Sequence, residues 1–132
     1  MPTWDHVDAL AERLPEAVRG LAHEGSPAWY AGRHVFARYR EDDGDPIVQL
    51  WSGDMDLGRQ LAPRRDTFVR IDTFDFRVSV WALLDRLDPR ELAELLYDSY
   101  AVRGGVRRAG RVDEVAFFAP LRGSHRPNPV EP

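Results

Sequence analysis

Residues 28–40 read Ala28-Trp29-Tyr30-Ala31-Gly32-Arg33-His34-Val35-Phe36-Ala37-Arg38-Tyr39-Arg40, and this stretch decides the fold class. Aromatic and β-branched residues fit a pleated, half-buried surface better than a helix. Gly32-Arg33 interrupts the run at the point where a tight reversal needs a residue that accepts a positive φ. The stretch therefore predicts two antiparallel strands, 28–31 and 34–40, joined by a two-residue turn. Glu41-Asp42-Asp43-Gly44-Asp45-Pro46 follows as a second turn, leading into a strand over 47–51.

Working outward, a further hairpin pairs 67–71 with 76–83, because the period-2 pattern changes phase across 72–75. Residues 54–61 read as a short helical connector ended by Pro63. At the N-terminus, Thr3 or Asp5 caps a helix whose Val7, Leu10, Ala11 and Leu14 form one apolar stripe, stopped by Pro15. Residues 16–23 fit either a helical turn or a first strand. Asp88 reads as the N-cap of a last helix, with Pro89 at N1, Glu91 completing a capping box, and Leu87 and Leu92 forming a hydrophobic staple. Leu92, Leu95, Leu96 and Tyr100 continue it at helical spacing, and Gly104 ends it.

Helix, antiparallel meander of four to six strands, helix: this order predicts an α+β two-layer sandwich with both helices on one sheet face. At 132 residues the chain suits one domain. Residues 1–103 form that domain, 104–122 an extension that packs on it or on a partner, and 123–132 a Pro-rich tail expected to be disordered.

Alternation along the strands sorts side chains onto two faces. Val35, Ala37, Tyr39, Val48, Leu50, Val69, Ile71, Val78 and Val80 form the apolar set that the helices cover. The opposite set holds Phe36, Arg38, Arg40, Gln49, Trp51, Phe68, Arg70, Arg77, Ser79 and Trp81. Four guanidiniums interleaved with four aromatics suit a surface that forks onto phosphates and stacks on bases. The same pattern also arises as cross-strand packing on an outer sheet face. It is equally consistent with a face covered by Val112, Val115, Phe117 and Phe118 of the extension.

The cations sharpen this reading. All 18 Lys+Arg are arginine, and Cys is absent, which excludes Schiff-base lysine chemistry, a P-loop lysine, disulfides and thiolate-bound metals. The net charge is −4, yet a local basic excess gathers at Arg103, Arg107, Arg108 and Arg111. The histidines His6, His23, His34 and His125 form no metal-binding pattern, Ser26 and Ser52 lie outside any nucleophile elbow, and there is no Gly-x-Gly-x-x-Gly. No nucleophile–base pair stands out, so neither an enzyme nor a cofactor or metal is expected. No apolar run approaches the roughly 20 residues of a membrane span, and the expected location is the cytoplasm.

The segment Gly25-Ser26-Pro27-Ala28-Trp29-Tyr30-Ala31-Gly32-Arg33-His34-Val35-Phe36-Ala37-Arg38 resembles the MmcQ/YjbR proteins. There a Gly-x-Pro-x-Phe/Trp strand leads into Gly-Lys/Arg and a Phe-Ala strand. Residues 88–100 resemble that family's closing helix, and the likeness spans roughly 5–103. It implies a CyaY-like α+β fold in the "double wing" arrangement for which DNA binding has been proposed. Three features depart from the family pattern: Asp75-Phe76-Arg77-Val78 in place of Gly-Trp-Val, the extension after 103, and an acidic tip at 41–45. Frataxin shares the fold and offers iron an acidic ridge. Asp5, Asp8, Glu12 and Glu16 lie on one helical line here, a line that is ordinarily the wet side of an amphipathic helix.

The first functional expectation is a DNA- or nucleic-acid-binding module. Arg38, Arg40, Arg70 and Arg77 contact phosphates, Trp51, Trp81 and Phe68 stack, and Arg33, Arg107 and Arg108 add reach. The second is a small-molecule-binding or sequestering protein, with residues 112–119 folded over the open face to enclose a planar aromatic or anionic ligand. The third is a homodimer built on that face, the alternative to a monomer.

Overall fold

The computed structural model describes residues 2–74 and 76–121. The chain runs α1 (Trp4–Ala11), β1 (Ala17–Leu21), β2 (Pro27–Ala31), β3 (His34–Asp42), β4 (Asp45–Ser52), α2 (Leu57–Leu61), β5 (Phe68–Thr73), β6 (Val78–Leu83), α3 (Pro89–Gly104), α4 (Val106–Ala109) and α5 (Glu114–Phe118). The six strands form one fully antiparallel sheet in the order β1-β2-β3-β4-β6-β5. It is a two-layer α+β sandwich, with α1 and α3 against one sheet face. The Pro-rich segment 123–132 lies outside the described residues.

Two turns follow from local chemistry. Gly32 takes φ +65° between the paired Ala31 and His34. Asp43 and Gly44 both take positive φ, 53° and 84°, and the ladder runs up to Asp42 opposite Asp45. The acidic turn is thus a two-residue reversal, and β3 and β4 extend further than alternation alone suggests. Residues 16–23 resolve as strand β1. The meander expectation needs one correction: β6, not β5, pairs with β4, because α2 carries the chain past the position β6 takes.

Two β-bulges decide which residues face the helices. Trp29 pairs with Ala37 while Tyr30 pairs with Val35, so Phe36 is an extra residue in β3. The ladder's phase slips there, and Phe36 turns inward beside Ala37. Its ring is fully buried and meets Tyr100 of α3 edge-on, centroids 5.3 Å apart. In β5, Phe68 pairs with Ala82 and Arg70 with Trp81, leaving Val69 as the extra residue. Phe68 is thereby buried in the core. Both phenylalanines were expected on the open face, and Val35 and Val69 in the core; the bulges exchange them.

The core joins Val7, Leu10 and Ala11 of α1 and Leu92, Leu96 and Tyr100 of α3 with Phe36, Val48, Leu50, Phe68 and Val80 of the sheet. Asp88 caps α3 by accepting from Arg90 N at 3.2 Å, and Gly105, at φ +92°, lets the chain leave after Gly104. Asp8 of α1 accepts from the Trp29 indole at 2.8 Å and from Arg19 at 2.9 Å. Helix α1 ends at Ala11, and Glu16, at φ 62°, turns away to bind arginines. The acidic line of the sequence is therefore dispersed, and no group of carboxylates and histidines among the described residues is arranged to hold a metal ion. No helix among those residues is long and apolar enough to cross a membrane.

Candidate nucleic-acid interface

Register places Arg38, Gln49, Trp81 and Arg70 side by side across β3, β4, β6 and β5 on the face opposite α1 and α3. Arg40, two residues on from Arg38, leans over this row. Its guanidinium carbon lies 4.8 Å from the Trp81 ring centroid, and that of Arg70 lies 4.7 Å from it. Two flat cations share one indole, each contact contributing about 0.5–1 kcal/mol in a half-exposed setting. Beneath them Arg40 Nε donates to Gln49 Oε1 at 3.1 Å, and Gln49 Nε2 donates to Ser79 Oγ at 2.9 Å. Gln49 and Ser79 are buried although they point away from the core. Their cover is the layer of arginine and tryptophan side chains itself.

Glu24, in the loop between β1 and β2, clips one end of that layer. Its carboxylate accepts from the Arg38 guanidinium and from Ser26 Oγ at 2.6 Å, and lies 3.5 Å from Arg40. Hydrogen bonds from Arg38, then from Ser26, hold its carboxyl down to a pKa of about 2. Burial, together with the like charges of Arg38 and Arg70, lowers the pKa of Arg40 below that of a free guanidinium. Between the loop and the sheet runs an open groove of about 510 Å³ lined by Glu24, Ser26, Tyr39, Arg40 and Trp81, among others.

The other end is organised by α3. The β3–β4 ladder stops at Arg38–Gln49, next to the bulge, leaving Phe36 O and Trp51 N facing a gap. Ser99 fills it: its hydroxyl donates to Phe36 O at 2.5 Å and accepts from Trp51 N at 2.9 Å. One turn further along α3, Arg103 Nε donates to Val35 O at 2.8 Å, and its guanidinium carbon lies 4.8 Å from the Trp51 centroid. Burial lowers the pKa of Arg103, and the nearby charge of Arg77 lowers it further. Arg38, Arg40, Arg70, Arg77 and Arg103 thus share the face with the carboxylates of Glu24, Asp72 and, at the β3–β4 tip, Asp42 and Asp45. Asp72 holds Arg70 Nε at 2.8 Å.

The remaining sequence candidates fall elsewhere. Phe68 is in the core, so it offers no stacking surface. Trp51 is only 8% exposed, and Trp51 and Trp81 are both roofed by guanidiniums; they are platforms for arginines rather than open rings. Arg33 is exposed at the β2–β3 turn. Arg107, Arg108 and Arg111 converge on Glu16, with Arg108 Nε donating to Glu16 Oε1 at 2.8 Å. They form a tie between α4 and the α1–β1 connection rather than a free arm.

The extension also lies away from the open face, which corrects the expected lid over the aromatics. Arg13 donates to Ala116 O at 2.8 Å and also to Phe117 O. Phe117 is buried beside Tyr97 of α3, and Arg90 covers Phe118. The apolar side of α5 is satisfied on the helix layer, so no pocket forms between it and the sheet's outer face. The sequence marks Arg103 only as part of the basic cluster that includes Arg107, Arg108 and Arg111, not as a member of the sheet face, and nothing local marks Glu24. The place of Arg103 beside Trp51 follows from its standing one helical turn beyond Ser99.

No family model matches the chain, and no curated protein matches its sequence. Among solved structures, the crystal structure of the Deinococcus radiodurans protein DR2400, whose family-model domain is DUF419, is similar to it. The TM-score is 0.57 at 20% identity, over 92% of this chain and 88% of that one. DUF419 is a YjbR/MmcQ-like family. At this identity the likeness shows the fold alone.

Proposed function

We propose that the protein is a DNA- or nucleic-acid-binding module that uses the outer face of its sheet. The observation that carries this reading is the layer of five arginines on that face, three of them with the guanidinium over a tryptophan ring. A guanidinium seated over a ring and held through Nε keeps its position while its terminal N–H groups are the ones that fork onto a phosphate. Fixing that position in advance also reduces the side-chain entropy lost on binding. In this arrangement Trp51 and Trp81 act through the arginines they orient. Arg70 is the exposed member of the five, Arg77 stands near Arg103, and Arg38 and Arg40 are part-buried and restrained by Glu24.

Fluorescence anisotropy with short duplex and single-stranded DNA at low salt tests the reading. The wild type should bind, and R70A/R77A should bind at least tenfold more weakly, since each lost charge-assisted contact costs about 1.5 kcal/mol or more. No binding of either DNA by the wild type at low salt would overturn it.

A further inference from the structure

A second basic surface shares Arg103 with the sheet face and runs from it to the place where the β2–β3 turn meets the end of α3. It is an open groove of about 510 Å³ whose lining includes Gly32, Arg33, His34, Arg103, Gly105 and Arg108, and no carboxylate. Arg108 is fixed there from behind. Its Nε donates to Glu16, and its Nη1 donates to Gly104 O at 2.9 Å, which also occupies a carbonyl at the negative end of α3. Arg108 Nη2 lies over Gly32, where an added Cβ would stand 2.9 Å from it. The φ of +65° favours glycine at position 32, and a side chain there would push the Arg108 guanidinium aside.

Arg103 is likewise held through Nε and its stacking on Trp51, and its terminal nitrogens have no hydrogen-bond partner among the described residues. Arg33, exposed at the turn beside His34, lines the same groove. Two guanidiniums are anchored through some of their donors with others left over, and a third is free to close. A compact oxyanion with several acceptor atoms matches that donor set, and a phosphate group matches it better than a carboxylate, which offers only two oxygens.

We propose that this groove binds a phosphate group, carried by a small phosphorylated molecule or by a nucleic-acid terminus. The test titrates the isotope-labelled full-length protein with inorganic phosphate in chloride buffer, following amide shifts by NMR. No nucleic acid is present, and Arg103 is the one arginine common to both surfaces, so shifts at Gly32, Arg33 and Gly105 report on this groove and not on the sheet face. Saturable shifts centred on Gly32, Arg33 and Gly105 are expected, with affinity lowered about tenfold in R33A, whose exposed side chain the fold does not need. G32A, which displaces Arg108, should weaken binding as well. Non-saturating shifts, shifts centred on Arg70 and Arg77, or unchanged affinity in R33A would overturn the proposal. Where phosphate does bind, displacement by a 5′-phosphorylated oligonucleotide but not its 5′-hydroxyl counterpart identifies a nucleic-acid terminus as the source. Displacement by a sugar phosphate but by neither oligonucleotide identifies a small molecule.

Discussion

Replacing Ser99 by alanine removes one oxygen and breaks the link between α3 and the two central strands. In the native protein the Ser99 hydroxyl serves both Phe36 O and Trp51 N, and Ser99 is fully buried. Alanine has nearly the same volume and a higher helix propensity, so neither packing nor helix formation opposes the change. What remains is one backbone carbonyl and one backbone N–H facing each other across a gap in the ladder. A buried polar group left unpaired costs about 1–3 kcal/mol, and for two such groups the expected loss is about 2–6 kcal/mol. With a urea m-value of about 1.5 kcal/mol/M, the unfolding midpoint should fall by about 1.3–4 M at unchanged m. Equilibrium unfolding followed by tryptophan fluorescence measures this. A midpoint lowered by less than about 0.3 M would show that the strands close on their own and that Ser99 is not the bridge.

Phe36→Ala should cost about 3–5 kcal/mol by chemical denaturation, as for a buried aromatic; an outward-facing Phe36 would cost under about 1. Glu24 should titrate near pH 2 by carboxyl NMR, and R38A should return it toward 4.5. Because its carboxyl is lowered in the folded state, its contribution to stability is present above about pH 4.5 and is lost as the pH falls toward 2, a trend that E24Q should weaken. The remainder includes Glu16, whose carboxyl is also lowered, first by its hydrogen bond from Arg108. Tyr100→Phe should destabilise the protein by about 1–2 kcal/mol in urea, since its hydroxyl donates to Pro15 O at 2.6 Å.

The helices, the tight turns and the two-layer arrangement are legible in the sequence because each rests on local chemistry. Asp88-Pro89 states where α3 starts, and Gly32-Arg33 and Asp43-Gly44 state where strands reverse. The bulges are harder to read, because a period of two carries no mark of an inserted residue. Their trace is the adjacent apolar pairs Phe36-Ala37 and Phe68-Val69, where strict alternation allows only one inward residue. Which strand lies beside β4 depends on long-range pairing that alternation does not encode. The apolar spacing of Val112, Phe117 and Phe118 indicates that α5 must dock, but not on which layer; Arg13 and Tyr97 settle that. For the site, alternation brings Arg38, Arg40, Arg70 and Trp81 together. The roofing of both tryptophans by guanidiniums depends on rotamers and on α3, and neither is written in strand periodicity.

The salt dependence of DNA binding tests the guanidinium layer most directly. Each neutralised phosphate on duplex DNA contributes about −0.9 to the slope of log affinity against log salt. Wild-type protein should show a steep slope, and R70A/R77A a slope shallower by about 1.8, the equivalent of two lost phosphate contacts. Equal slopes for the two proteins would contradict the account, because Arg70 and Arg77 would then touch no phosphate.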